Sequence, residues 1–140
     1  MPTPANLGDV MKVSDMVIEK VTAKASTAIE KGMLVCSDGT GTSGVYVPAT
    51  AALSLTHRVC VARESVSATA ENREFMVLVK GLIIAKKNNQ NILHAGSKVK
   101  VDATAGTAIA LMGVDNALYC VGFAHKDAPA SDEKFWFRIQ

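Results

Sequence analysis

Short β-branched runs, each closed by Gly, Asp, Asn or Pro, follow one another along most of this chain. They read MLVCS (Met33–Ser37), GVYVP (Gly44–Pro48), RVCVARES (Arg58–Ser65), FMVLVKGLIIAKK (Phe75–Lys87), SKVKVDA (Ser97–Ala103), TAIALM (Thr107–Met112), ALYCVGFAHK (Ala117–Lys126) and KFWFRIQ (Lys134–Gln140). VIEKVTAKA (Val17–Ala25) precedes them with the same alternation. Runs of this length at this spacing predict an all-β fold, a small β-sandwich or β-barrel. Gly81 interrupts the longest run and predicts a bulge, or a corner where one strand bends between sheets.

The first residues differ. Leu7, Val10, Met11, Ser14, Val17 and Ile18 fit helical spacing with Asn6 as N-cap, while the β-branched content argues against a helix. Met1–Ser14 therefore reads as an extended arm with one or two helical turns at most. Residues 15–140 read as a single β domain.

That domain carries an internal echo. Shifting by 64 places Ile29 on Leu93, Gly32 on Gly96, Val35 on Val99, Asp38 on Asp102 and Thr40 on Thr104. Shifting by 60 places Cys60-Val61 on Cys120-Val121, Ala68 on Ala128, Ala70 on Ala130 and Phe75 on Phe135. Two matches in the same order predict a duplicated β unit, residues 29–80 and 93–140, whose halves close a shared core. The echo also bears on Asp38-Gly39-Thr40-Gly41, which has the look of a phosphate loop. Its counterpart Asp102-Ala103-Thr104-Ala105 lacks the glycines that close backbone approach requires, so both read as turns.

Composition narrows function. At 140 residues and 14.8 kDa the chain is one domain with a real core. Hydrophobic residues are 49% and aromatics 5%, so small side chains pack that core. A formal net charge of +2 lacks the clustered cations of a nucleic-acid surface. MPTPANLGDVMK has no apolar signal region, and no run approaches the ~20 residues of a membrane helix. Cys36, Cys60 and Cys120 stand singly, as reduced thiols in a cytoplasm would. A Cys60–Cys120 bridge across a pseudo-axis is the sharper alternative.

No catalytic set emerges. His57, His94 and His125 are far apart and lack companions at metal spacing, and the serines of ARESVSATAE sit in no nucleophile elbow. The reading is of no enzyme, no cofactor and no metal. In Phe135-Trp136-Phe137 one face of the last strand must enter the core, and Trp136 either packs beneath a loop or meets another chain. Trp136 is the candidate assembly contact.

The order IEKGMLV (Ile29–Val35), VCVARESVSA (Val59–Ala68) and FMVLVKG (Phe75–Gly81) resembles the capsid decoration (cement) or head-fibre proteins of tailed bacteriophages, as do AGSKV (Ala95–Val99) and VGFA followed by Asp127-Ala128. The resemblance covers about Ala25 to Gln140. The long arm, LSLTH (Leu53–His57) and Asn88–Asn91 depart from that pattern. It implies a β-tulip-like domain, made in the host cytoplasm, that binds the major capsid protein on the outer capsid surface as a homo-oligomer, with a trimer favoured. It implies no nucleic-acid or membrane partner. The arm residues Pro2, Thr3, Pro4, Asn6, Leu7 and Val10 would then form a capsid-binding strand added to a sheet edge. Ordered only on the capsid, Met1–Ser14 would be dispensable for folding. Alternatives in view are a tail-tube protein, a carbohydrate-binding β module and an enzyme.

Overall fold

In a computed structural model that describes residues 6–39 and 44–139, the chain is all-β. Among the described residues one antiparallel sheet holds nine strands: β1 (Val10–Thr22), β2 (Leu34–Ser37), β3 (Tyr46–Pro48), β4 (Cys60–Ala62), β5 (Glu74–Lys86), β6 (Lys98–Val101), β7 (Ala108–Ala110), β8 (Gly122–Ala124) and β9 (Lys134–Ile139). The order is β3-β2-β4-β5-β9-β8-β6-β7, with β1 on β5. The sheet curls strongly. Parallel bridges join Ala23 to Tyr46 and Lys87 to Ala108, so each half returns toward its own first strand. The result is barrel-like, not a sandwich of two separate sheets.

The halves repeat in register. Leu34 pairs with Val61 and Val61 with Leu78; in the second half Lys98 pairs with Phe123 and Phe123 with Arg138. The separation therefore shrinks along the chain: 98 − 34 = 64, 123 − 61 = 62 and 138 − 78 = 60. The isolated bridges Ile29–Val66 and Leu93–Ala128 follow the same rule. The 60-residue shift proposed for Cys60 and Cys120 is thus corrected by two residues, and Cys60 corresponds to Gly122. Cys60 is a free thiol in the first half's core, whereas Cys120 is half-buried.

β5 serves both halves. Its first part pairs with β4 through Leu78 and Val77, and its second part pairs with β9 from Gly81 to Lys86. Gly81 sits at this changeover with φ +131°, a left-handed backbone that L side chains rarely adopt. β1 pairs with β5 throughout but carries extra residues between Lys12 and Val17, opposite the glycine. A Cβ on Gly81 would lie 3.3 Å from Met16 Cα.

Two apolar clusters result. Ile29, Val35, Cys60, Ala62, Phe75 and Val77 fill the first half. A larger cluster joins Leu93, Val99, Phe135 and Phe137 of the second half to Leu34, Cys36, Val61 and Leu78 of the first. The first half is therefore buried on both faces. On the second half the equivalents of Leu34, Cys36 and Leu78 are Lys98, Lys100 and Arg138, which face outward.

β1 corrects the arm. The strand begins at Val10 and not after Ser14, and Val10 pairs with Ile83. Gly8 N donates to Ile84 O at 2.8 Å, and Ile84 N donates to Asp9 O at 3.0 Å. The helical spacing noted for these residues comes from a bulged strand, whose extra residues shift the apolar period. Several strand expectations also shorten: RVCVARES yields only Cys60–Ala62, TAIALM yields Ala108–Ala110, and ALYCVGFAHK yields only Gly122–Ala124 after a 3-10 turn at Ala117–Tyr119, while LSLTH, for which no strand was expected, contributes to a short helix, α1 (Ala51–Ser54).

Candidate functional site

The acidic turns do structural work. Asp38, with a side chain only 6% exposed, lies 3.6 Å from Lys24 Nζ. Asp102 accepts from Asn88 Nδ2 at 3.0 Å and from Thr107 Oγ1 at 3.5 Å. Lys24 and Asn88 follow Ala23 and Lys87, the residues that close each half, so each carboxylate ties a hairpin to the closing segment. Each carboxylate thus has a partner across the fold, Lys24 for Asp38 and Asn88 for Asp102. Thr40 and Gly41 lie outside the described residues.

A second pair of devices anchors the loops. Lys87 is 3% exposed, and its Nζ donates to the carbonyls of Asn88 (2.8 Å), Asp132 (2.8 Å) and Ala130 (3.2 Å). Burial lowers its pKa from the usual lysine range, against the opposing pull of Asp132. In the first half the Arg73 guanidinium donates to the carbonyls of Lys24, Thr27 and Ser67. Each cation replaces water for a set of loop carbonyls.

The histidines stay apart. His57 follows α1 and contacts the Thr56 hydroxyl through Nδ1 at 2.8 Å, His94 is in the turn before β6, and His125 follows β8. Among the described residues no group of three His, Cys, Asp or Glu side chains is placed to hold a metal, and no helix is long and apolar enough to cross a membrane.

Trp136 is half-buried on β9, opposite Ile84. His125 stacks on its indole, with centroids 6.3 Å apart and an interplanar angle of 23°, and Lys126 Nζ sits 3.9 Å from the ring centroid. The chain's own loop thus engages this indole, beside a shallow cavity of about 190 Å³ bordered by Asp127 and Asp132. Phe135 and Phe137 point the other way, into the core, 5.2 Å apart.

Of the arm residues, Pro2, Thr3 and Pro4 lie outside the described residues. Asn6 N donates to Asp9 Oδ2 at 2.8 Å, Leu7 packs on Gly32, and Val10 packs against the larger core. These three contact their own domain in this structure.

The surface that the sequence did not single out is the β7–β8 connection. Val114 is 97% exposed, Leu118 74% and Met112 59%. The turn that carries them is held from beneath: Asp115 Oδ2 accepts from Met112 N at 2.8 Å and lies 3.0 Å from Lys100 Nζ. Both interactions hold the Asp115 carboxyl below the usual carboxylate range, the Met112 hydrogen bond most of all. Asn116 Oδ1 accepts from Leu118 N at 2.9 Å. The signal was present in LMGVDNAL, where apolar residues fall inside a turn, but it read as strand ends.

An all-β, barrel-like domain of two corresponding halves with an apolar outer loop is the class the geometry defines. Its fold is similar to the N base of head fibre gp8.5 of bacteriophage phi29, with a TM-score of 0.55 and 12% sequence identity over 89% of this chain and 95% of that one. No protein-family model matches the sequence, and no curated protein matches it.

Proposed function

We propose that the chain is a structural protein of a bacteriophage virion, carried on the outer surface of the head. The observation that supports this is the whole-length likeness to the base of a head fibre, spanning both halves. The major capsid protein is the proposed partner, and the protein acts as a small closed oligomer without catalysis. A stiff domain suits that role: small side chains pack it on both faces of the first half, and the buried Lys87 and half-buried Arg73 clamp its loops. Many copies on one lattice hold well even when each contact is weak.

Two roles share this location. A cement protein clamps neighbouring capsid subunits, whereas a fibre base only attaches. The fold likeness favours the fibre base. Heads that lack the protein should regain regular surface density when it is added. Their rupture temperature separates the roles, since a cement protein raises it and a fibre base leaves it unchanged. Absence of binding to heads overturns both.

A further inference from the structure

The row of side chains that seals the two halves together changes chemistry between them. In the first half Leu34, Val61 and Leu78 stand side by side on β2, β4 and β5, and all three are buried in the larger core. Their counterparts Lys98, Phe123 and Arg138 stand side by side on β6, β8 and β9. The alternate residues Val99, Ala124 and Phe137 fill the core, so the pleat turns this second row to the outer face. Phe123 keeps 37% of its surface exposed there. Among the described residues neither Lys98 nor Arg138 makes an ion pair, whereas Lys100 on the same face lies 3.0 Å from Asp115. The patch continues past Phe123. Leu111 N donates to Lys98 O at 2.8 Å and Lys100 holds Asp115, so the turn with Met112 and Val114 runs along the edge of this face. Exposed apolar groups gathered within a charged rim mark a contact surface.

An aromatic centre with an arginine beside it and charge around it is the make-up of a protein interface. The complement of this one is acidic. We propose that the β6–β8–β9 face docks on an acidic patch of the major capsid protein, which receives Phe123 in an apolar centre and sets carboxylates against Lys98 and Arg138. The neighbouring ring favours a protein over a polyanion. Trp136 also faces outward on β9, but His125 stacks on its indole and Lys126 lies over it. A single-stranded nucleic acid gains from successive open ring faces along a continuous cationic groove. Here the Trp136 ring is already engaged, and Asp115, Asp127 and Asp132 interrupt the positive charge. The inference rests on the proposed virion role and names the face that carries it.

Co-sedimentation of the full chain with heads purified without it tests the proposal. The wild type should bind, and should bind less tightly as salt rises from ~0.05 to ~0.5 M. K98E/R138E should bind more weakly by about tenfold or more, with an unchanged thermal melt. F123S should also weaken binding. K20E/K31E, the same change of charge on exposed lysines of the first half, should bind as the wild type does. A wild type that leaves the heads bare overturns the virion role and this inference with it. Wild-type affinity in K98E/R138E or in F123S, or wild-type binding that salt does not weaken, overturns this face alone and leaves the virion role standing. Capture of the wild type but not of K98E/R138E by a single-stranded oligonucleotide, while both bind heads alike, assigns the face to a polyanion and likewise overturns it.

Discussion

Phe75 and Phe135, sixty residues apart, hold the same place in their halves: Phe75 pairs with Val21 of β1, and Phe135 pairs with Ala85 of β5. Both rings are 2% exposed. Two equivalent anchors in one cooperative domain should cost similar amounts when removed. Phe75→Ala and Phe135→Ala are each expected to destabilise by about 3–5 kcal/mol, read from denaturant midpoints. A loss confined to one variant would mean that the halves do not share the load.

Cys60 and Gly122 are likewise equivalent but differ in size, and the reason is next to them. A Cβ on Gly122 would lie 2.4 Å from Phe137 Cε1 and 2.3 Å from Arg138 O. The first half has Val77 where the second has Phe137, which leaves room for the Cys60 thiol. Gly122→Ala is expected to destabilise by about 1–3 kcal/mol through overpacking. Phe137→Val should recover part of that loss in the double variant, giving a coupling energy above ~0.5 kcal/mol. Additive single effects would contradict the size exchange, although the carbonyl of Arg138 keeps the rescue incomplete.

Lys87 and Arg73 each hold three loop carbonyls. Lys87→Met keeps the length of the side chain but leaves the carbonyls of Asn88, Ala130 and Asp132 without their ammonium partner. A loss of on the order of 2–4 kcal/mol is expected, with faster amide exchange in the loop before β9. A neutral Lys87→Met would show that water takes over the contacts.

Alkaline stability should report the buried thiols. Burial pushes the Cys36 thiol up to about 11 from 9.0, and the Cys60 thiol rises for the same main reason. The folded state then keeps a proton that the unfolded chain releases. The Cys36 contribution is complete below pH 9 and is lost as pH rises through about 11, with a size on the order of 2–3 kcal/mol. Lys87, with its lowered pKa, acts in the opposite sense over the alkaline range, so the comparison needs Cys36→Ala. That variant should show a smaller loss of stability between pH 9 and 11 than the wild type; equal losses would refute the assignment.

Deleting residues 1–14 should not leave the domain intact. It removes Leu7 from Gly32, Val10 from Ile83 and both hydrogen bonds to Ile84. A stability loss on the order of 3 kcal/mol or more is expected from the lost burial and bonds, seen as a lower thermal midpoint. An unchanged midpoint would restore the independent arm.

The strands were legible because alternation with turn residues has few other solutions, and Gly81 was legible because a glycine within an apolar run marks a bend. The two-residue error at Cys60 was not detectable from pattern. A slip of two keeps every side chain on its own face, so the apolar alternation of β4 against β8 looks the same at either offset. The part of β1 before Val17 was lost to its bulge, whose extra residues break the period that identifies a strand, whereas Val17 to Thr22 was read as strand within VIEKVTAKA. The exposed turn at Val114 escaped for a related reason: burial is decided by what lies opposite, and local sequence carries no record that Val114 stands 97% exposed.

Imaging of heads purified without this protein, before and after its addition, tests the central claim most directly. The account predicts regularly placed density on the outer head surface and two corresponding β halves within each added subunit. Heads that stay bare, or density confined to the tail, would contradict it.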